Sequence, residues 1–394
     1  MTGPHGADVT LTVSLGGAPL RAAEVVVEQL NHKTLFGCTG FELIDHANGA
    51  RDDTPLAERW LALFNAATLP YYWGQYEHTD RVLTAARWFR DRGVAVKGHP
   101  LAWHTETAPW LLGLSVEEVA AAQRERITRE VTAGAGVIDT WDVINEVVIM
   151  PIFDKEDNGI TRLCRAIGRI PMIRLAFDAA RAANPHATLL LNDFDMSAAY
   201  ECLIEGVLAA GIAIDALGLQ SHMHQGHWGE EKTLDVLERF ARYGLPLHFT
   251  ETTLVSGDLM PASIVDLNDF RVPSWPSTPE GEERQADEIV RHYRTLMAHP
   301  AVEAVTYWGL PDGGWLGAPG GLLRADGTPK PAFDALHGLV RGEWWVPPTA
   351  LGTDERGRVH FTAFPGLYRV GLPNGSSASF AVDHRGKALI DVIV

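Results

Sequence analysis

Two glutamates stand at the ends of two apolar, strand-like runs of this chain. Glu146 ends the run at residues 139–146, and Glu251 ends the run at residues 245–251. A carboxylate at the end of a buried strand is expensive to remove from water, so such a residue usually has a chemical task. If the two runs are the fourth and seventh strands of one barrel, the pair is suited to proton donation and nucleophilic attack.

Cleavage of a glycosidic bond is a reaction that uses such a pair. In a retaining enzyme the two carboxyls stand about 5–5.5 Å apart, one as proton donor and one as nucleophile. The charge of the nucleophile raises the pKa of the acid, and the loss of that charge on glycosylation turns the acid into a base. The alternative is a salt bridge at the barrel end, which the scarcity of Lys and Arg at nearby strand ends disfavours.

The elements that must position the two glutamates form a regular alternation between about residues 30 and 343. Near-continuous apolar runs alternate with amphipathic stretches, which is typical of a parallel sheet covered by helices. Eight such units predict a closed (β/α)₈ TIM barrel of the α/β class. The predicted strands are 34–38, 61–68, 94–99, 140–146, 188–193, 216–222, 245–251 and 304–310, and the predicted helices include 79–92, 116–131, 162–183, 234–243 and 282–298.

Polar and aromatic residues gather where these predicted strands end. The chemistry of such barrels lies at the C-terminal face of the strands. Tryptophan rings there would stack on the apolar faces of sugars, and amides and imidazoles would bond their hydroxyls. The predicted substrate-binding residues are His99, Trp103, Asn145, Gln220, His222, Trp308 and Trp315.

The two ends of the chain have a different pattern. Residues 8–15 alternate with a period of two, 24–29 follow as a second strand, and four β-like runs separated by turn residues come after Pro347. We expect residues 1–30 and 344–394 to form one small β-sandwich-like domain beside a catalytic barrel of residues 31–343. Whether this domain binds sugar stays open.

Composition narrows the class of partner. The chain has 394 residues, 46% of them hydrophobic, and a net charge of -17, which argues against nucleic acid or an anionic membrane surface as partner. No run of about 18 apolar residues and no secretory signal are visible, so we expect a cytoplasmic enzyme. A chain trimmed of its signal would look the same, and the oligomeric state is left open.

A metal site is the main competing interpretation of the histidines. His222 and His224 alternate on one strand and His227 follows, a spacing that zinc sites do use. A third ligand is poorly defined, however, because His248 would lie deeper in the barrel. The three cysteines also lack metal-like spacing. We therefore expect neither a metal nor another cofactor.

Several segments together resemble glycoside hydrolase family 10, the retaining (β/α)₈ enzymes best known as endo-β-1,4-xylanases. The matching motifs are GHPLAWH at 98–104, WDVINE at 141–146, LNDFD at 191–195, GLQSH at 218–222, FTE at 249–251 and TYWG at 306–309 with Trp315. The resemblance implies that Glu146 is the acid/base and Glu251 the nucleophile. It also implies that the hydrogen-bonding and tryptophan residues named above surround the sugar at the cleavage point.

One segment departs from the family pattern. After the second strand, family xylanases carry Glu-Asn and a later Lys, which grip the next xylose unit. Here the aligned positions hold Pro70, Tyr71 and Gly74. A site that loses its hydroxyl-binding groups loses much of its preference, so we expect Tyr71, Tyr72 or Trp73 to reshape or block this subsite.

The sequence therefore predicts a retaining β-glycosidase that cleaves β-1,4-xylosidic or related bonds. One alternative is an exo-acting enzyme on short or aryl glycosides, to which an apolar loop at residues 252–280 would add a hydrophobic contact. A second alternative is a barrel that binds carbohydrate without cleaving it.

Overall fold

The computed structural model describes residues 6–75 and 79–394, so the first five residues and the end of the departing segment lie outside it. Sixteen strands follow one another along the described chain: β1 (Ala7–Leu15), β2 (Ala18–Pro19), β3 (Glu24–His32), β4 (Leu35–Thr39), β5 (Ala66–Pro70), β6 (Ala95–His99), β7 (Thr140–Asn145), β8 (Thr188–Asp193), β9 (Ala216–Met223), β10 (Leu247–Leu254), β11 (Val302–Tyr307), β12 (Thr349–Gly352), β13 (Arg358–Ala363), β14 (Gly366–Gly371), β15 (Ser377–Val382) and β16 (Gly386–Ile393).

The eight strands from β4 to β11 form a closed parallel barrel, which confirms the predicted fold class. Each strand pairs with its neighbour in the chain, and β11 pairs with β4 to close the ring. The helices are α1 (Ile44–Ala47), α2 (Thr54–Leu63), α3 (Asp80–Arg90), α4 (Val116–Gly134), α5 (Gly159–Ile167), α6 (Arg169–Ala183), α7 (Ala198–Ala209), α8 (Gly229–Ala241), α9 (Pro279–Ala298) and α10 (Pro331–His337). All eight parallel strands therefore end at one face, where the candidate site lies.

Two predicted elements differ from the observed ones in type or number, beyond shifts of their ends. The run 61–68 was predicted as one strand, but residues up to Leu63 complete α2, and β5 starts only at Ala66. The buried residues Leu56, Trp60 and Leu63 recur at helical spacing, and an apolar run that continues into a strand conceals that period. The predicted helix 162–183 is two helices, because Gly168 has φ 88° and ends α5 before α6 begins.

The terminal segments form two four-stranded sheets beside the barrel. One has the order β13-β1-β16 with β2 on β1, and the other has the order β12-β3-β14-β15. Alternating residues of both sheets share one hydrophobic cluster, which includes Val9, Val27, Tyr368 and Phe380. This is the packing of a small sandwich made from both ends of the chain. The boundaries at residues 30 and 344 stay predictions, as does any sugar binding here.

Within the described ranges, no helix combines the length and apolarity needed to cross a membrane.

A glycine between two barrel-lining side chains makes room for the largest ring of the barrel wall. A Cβ on Gly98 would stand 2.2 Å from Cζ3 of Trp141, which is itself fully buried. The indole has little room to move, because it also packs against the ring of Tyr71 at a centroid distance of 4.8 Å. The backbone between Lys97 and His99 therefore packs directly on Trp141.

Gly98→Ala should destabilise the fold by about 1–3 kcal/mol, because the added methyl overpacks a filled core. Urea unfolding measures this loss against Gly113→Ala, where a new Cβ meets no atom within 4 Å. Equal stability of the two variants would contradict the packing described here.

Candidate active site

Local irregularities in two strands aim the two glutamates into the barrel mouth. The register of β7 against β8 shifts between Asp142 and Ile144, and that of β10 against β9 shifts between Phe249 and Glu251. Such bulges redirect a side chain relative to a regular strand. Glu146 follows β7 directly, while Glu251 lies inside β10, which continues three residues beyond the predicted end.

The backbone at Glu146 is held in a left-handed conformation. Its φ is 56°, a region that costs an L-residue about 1–2 kcal/mol. Two hydrogen bonds to residues at the end of β8 hold this turn. The Glu146 N–H donates to the Asn192 carbonyl at 2.8 Å, and the Val148 N–H donates to the Asp193 carboxylate at 3.0 Å. The orientation of the Glu146 side chain is thus determined by the neighbouring strand.

Three donors surround the Glu146 carboxyl. Trp103 Nε1 donates to Oε2 at 2.8 Å, while Asn145 Nδ2 and Gln220 Nε2 donate to Oε1 at 3.0 and 3.2 Å. Burial raises the pKa of Glu146 to about 8, and the negative charge of Glu251 acts in the same direction. These two effects outweigh the hydrogen bonds, so Glu146 holds a proton at neutral pH.

The Glu251 carboxyl has the opposite environment. It is only 4% exposed, and burial alone would raise its pKa. His99 and His222, with a smaller contribution from the charge of Lys97, more than offset burial, so the pKa of Glu251 lies below its usual range. His222 Nε2 bonds Oε2 at 3.0 Å, Asn192 Nδ2 donates to Oε1 at 3.2 Å, and His99 Nε2 stands 3.9 Å from Oε1. Glu251 is therefore the ionised member of the pair.

A network of buried amides connects the two carboxyls. Asn192 Nδ2 donates to Asn145 Oδ1 at 2.7 Å as well as to Glu251, and Asn192 Oδ1 accepts from the Thr250 hydroxyl at 2.7 Å. Gln220 Nε2 also reaches Asn145 Oδ1, at 3.2 Å. Because Asn145 Oδ1 accepts both bonds, its Nδ2 is left to donate to Glu146. The network fixes which atom of each amide faces a carboxyl.

Aromatic rings stand around the two histidines of the site. Trp308 meets His99 at a ring distance of 5.1 Å and His222 at 6.1 Å, and Trp315 meets His222 at 4.4 Å. On the other side, Tyr72 lies 5.6 Å from Trp103 and 5.8 Å from His99. These rings are partly exposed and form a wall beside the residues that hold the two carboxyls, and their contact with a sugar stays a prediction.

Of the three described rings Tyr71, Tyr72 and Trp73 of the departing segment, one joins this wall. Tyr71 is fully buried against Trp141, which corrects the expectation that its ring faces a substrate. Trp73 is 6% exposed and packs against Trp110, 5.7 Å away, with the Arg126 guanidinium 5.0 Å from its ring. Of these three rings, Tyr72 is therefore the one that faces His99 and Trp103.

Sequence reasoning missed three residues that support the site. Lys97 Nζ lies 2.7 Å from Asp142 Oδ2, and the same oxygen lies 2.8 Å from His99 Nδ1. The Thr253 hydroxyl bonds His222 Nδ1 at 3.0 Å. The alternation of side chains along a strand could have identified Lys97 and Thr253. Lys97 is two residues before His99, and Thr253 is two residues after Glu251, so each shares a side of its strand with a site residue.

His224 and His248 lie apart from the two carboxyls. His224 is 1% exposed, and its ring packs between Trp275 and Trp315; burial lowers its pKa to about 3. His248 lines a cavity of about 550 Å³ at the opposite, N-terminal end of the barrel. Across residues 6–75 and 79–394, no group of three His, Cys, Asp or Glu side chains is arranged to hold a metal ion.

The loop after β10 is joined to the loop after β7 by ion pairs. Lys155, in the loop after β7, lies 2.6 Å from Asp266 and 2.5 Å from Asp269. Within the loop, Trp275 Nε1 donates to the Asp258 carbonyl at 2.8 Å. The loop is therefore attached to the segment that follows Glu146.

Comparison with known proteins places these features in a family. A family model described as Glycosyl hydrolase family 10 matches residues 69–338. A beta-1,4-xylanase of Dictyoglomus thermophilum is 31% identical over 242 residues, which are 56% of this chain and 61% of that protein. Endo-1,4-beta-xylanase B of Thermotoga neapolitana is 28% identical over 263 residues, which are 62% of this chain and 69% of that protein. The chain thus spans 61% of the length of the first of these relatives and 69% of the second.

Solved structures show the same fold. Native xylanase 10B from Thermotoga maritima superposes with a TM-score of 0.64 at 22% identity, covering 79% of this chain and 96% of that one. Xylanase 10B from Thermotoga petrophila, in complex with xylobiose, gives a TM-score of 0.64 at 20% identity, covering 79% of this chain and 95% of that one.

Proposed function

Because the chain belongs to glycosyl hydrolase family 10, we propose that it hydrolyses β-glycosidic bonds by double displacement with retention of configuration. The observation that carries this proposal is the opposite protonation of two neighbouring carboxyls. Glu146 has a pKa raised to about 8, mainly by burial and then by the charge of Glu251, whose own pKa is lowered. One group is thus ready to give a proton while the other is ready to attack.

The first displacement uses both carboxyls at once. A Glu251 oxygen attacks the anomeric carbon as the bond to the leaving oxygen breaks, and Glu146 gives that oxygen its proton. The product is a glycosyl ester on Glu251 and a free alcohol. His222 and Asn192 hold the attacking carboxylate in place through their bonds to Oε2 and Oε1.

The second displacement reverses the role of Glu146. Esterification removes the negative charge of Glu251, which is one of the causes of the raised pKa of Glu146. Glu146 is then a carboxylate that takes a proton from water while the water oxygen attacks the anomeric carbon. The ester bond breaks, Glu251 regains its charge, and Glu146 is again protonated.

For the substrate we propose β-1,4-linked xylosyl units. The relatives named above are beta-1,4-xylanases, and one structural neighbour was solved with xylobiose. The partly exposed Trp308 and Trp315 beside the two histidines suit the apolar faces of a sugar ring at the cleavage point. The carbohydrate chain would then lie across the barrel mouth.

A second candidate is an exo-acting enzyme on short or aryl β-glycosides. Tyr72 favours it, because this ring stands beside His99 and Trp103 and also meets Phe41 at 5.9 Å. Phe41 in turn meets Trp308 at 5.7 Å, which extends the aromatic wall. Such a wall limits the space for a second sugar on this side. Under this candidate the chemistry is unchanged and only the accepted length differs.

Glu251→Ala should lower kcat by at least about a thousandfold on every substrate, because no other group forms the intermediate.

The loss of the acid in Glu146→Ala should matter less on a dinitrophenyl β-glycoside, because the leaving group of this substrate needs no proton. Wild-type kcat/KM should fall above about pH 8 on an unactivated glycoside, as Glu146 loses its proton. On the dinitrophenyl glycoside, Glu146→Ala should lack this alkaline fall.

Initial-rate assays over pH 4–10 measure both effects, and NMR of the first product gives its anomeric configuration. The control is Glu343→Gln, a half-exposed carboxylate paired with Arg294 away from the site. Glu251→Ala that keeps more than a tenth of the wild-type rate would refute the proposal, and so would an inverted product.

Tyr72→Ala should open the wall beside His99 and Trp103. If the ring limits substrate length, the rate on xylotetraose relative to an aryl xyloside should rise about tenfold, since a site rejects what it cannot accommodate. Trp73→Ala is the matched control, because that ring packs against Trp110 and Arg126. An unchanged ratio would remove Tyr72 as a limit on length and favour the ordinary endo-acting enzyme.

A further inference from the structure

A lysine is buried inside the barrel beneath the two carboxyls. The Lys97 side chain is only 10% exposed, and that of its partner Asp142 has no exposed surface. Removing an ammonium group from water carries a penalty that a single ion pair offsets only in part. The family chemistry proposed above gives Lys97 no bond to make or break. Its place in the barrel therefore needs a separate explanation.

The geometry connects Lys97 to Glu251 through two side chains. Lys97 Nζ and His99 Nδ1 both contact Asp142 Oδ2, at 2.7 and 2.8 Å. With Nδ1–H donated to this carboxylate, the other ring nitrogen of His99 faces Glu251 Oε1 at 3.9 Å. A carboxylate that accepts a bond from Nδ1–H fixes the orientation of the ring, so that Nε2 keeps facing Glu251. Asp142 can do this only while it is ionised.

We propose that Lys97 is a positioning residue for Glu251. It keeps Asp142 ionised, so that His99 stays oriented toward the nucleophile, and its own positive charge favours the carboxylate form of Glu251 in mildly acidic solution. This inference rests on the proposed function, because it assigns Glu251 the nucleophilic role. Lys97 itself contacts neither the sugar nor the reacting atoms.

The charges around Glu251 explain why one distant cation matters. His222 on β9 and His99 on β6 contact the carboxylate, while Glu146 and Asp142, both from the β7 side, add two acidic groups. His248 on β10 faces Lys97 and Asp142, but burial and then the charge of Lys97 lower its pKa to about 4, so it adds no positive charge near neutral pH. Lys97 is the permanent cation whose charge acts on Glu251 and on Asp142, and it lowers the pKa of each. Without Lys97, the negative charges of Glu251 and Asp142 would share a buried region in which the nearby cationic groups are imidazoles, whose charge depends on pH.

A purely structural role makes a different prediction, and the chain offers a matched control for it. Lys330 is fully buried and lies 2.5 Å from Asp312, with its ammonium also bonded to Ser256 and the Gly321 carbonyl. This second lysine–aspartate pair holds the loops that follow β10 and β11. Its loss removes a buried ion pair of the same kind without removing the cation that faces Asp142 and Glu251.

The test compares kcat/KM over pH 4–9 on an aryl β-xyloside for wild type, Lys97→Gln, Lys97→Met, Lys97→Arg and Lys330→Gln. Gln keeps a donor for Asp142 but loses the charge, and Met suits the barrel interior, so either neutral variant that folds decides the question. In Lys97→Gln and Lys97→Met, the acidic limb of the kcat/KM profile should move to higher pH by about one unit. That shift corresponds to a loss of roughly tenfold at acidic pH and little loss near neutrality. Lys97→Arg and Lys330→Gln should keep the wild-type limb.

A wild-type acidic limb in the neutral Lys97 variants would overturn the inference. So would an equal shift in Lys330→Gln, because lost stability would then explain both. If Lys97→Gln and Lys97→Met keep the wild-type pH profile while Glu251→Ala is inactive, the inference fails and the proposed function stands. If Glu251→Ala stays active, the limb does not belong to Glu251 and the proposed function itself fails.

Discussion

Two carboxyl groups share one buried region at the mouth of the barrel, and both cannot be ionised there at low cost. Each ionised carboxylate loses its water, and each repels the other. The surrounding residues resolve this conflict by treating the two groups differently. Glu251 receives two histidines and an asparagine, whereas Glu146 receives only neutral donors and lies close to the charge of its neighbour. The division of charge between them is what the chemistry requires.

The different charge states of Glu146 and Glu251 depend on accurate placement of their side chains. Three sets of barrel residues provide that placement. The bulges in β7 and β10 and the left-handed backbone at Glu146 aim the side chains. The amides of Asn145, Asn192 and Gln220 then connect the carboxyls in a single hydrogen-bonded network. Below them, Lys97 and Asp142 occupy the interior where a barrel is otherwise filled by apolar side chains. Stability is given up at this end of the barrel so that the carboxyls keep fixed positions.

Much of the fold was predictable because its signals are periodic. Eight apolar runs separated by amphipathic stretches predict the barrel, and the period of two at both termini predicts the extra sheets. The polar ends of the strands identified Glu146, Glu251 and their amide and histidine neighbours. The bulges were not predictable, since one inserted residue leaves the apolar pattern of a run intact. Tyr71 was misplaced because the sequence does not show where β5 ends, and with it which ring turns inward. Lys97 was missed because a single charge inside an apolar run resembles an exposed edge residue.

The direct test of this account is to measure the pKa of Glu146 by carbon-13 NMR in wild type and in Glu251→Gln. The pKa of Glu146 should be about 8 in the wild type, far above the ordinary 4.5. In the variant the value should fall, because the neighbouring charge is gone, but stay above the ordinary range, because burial remains. A wild-type value near 4.5, or a raised value that the substitution leaves unchanged, would contradict the claim that the two carboxyls hold each other in opposite states.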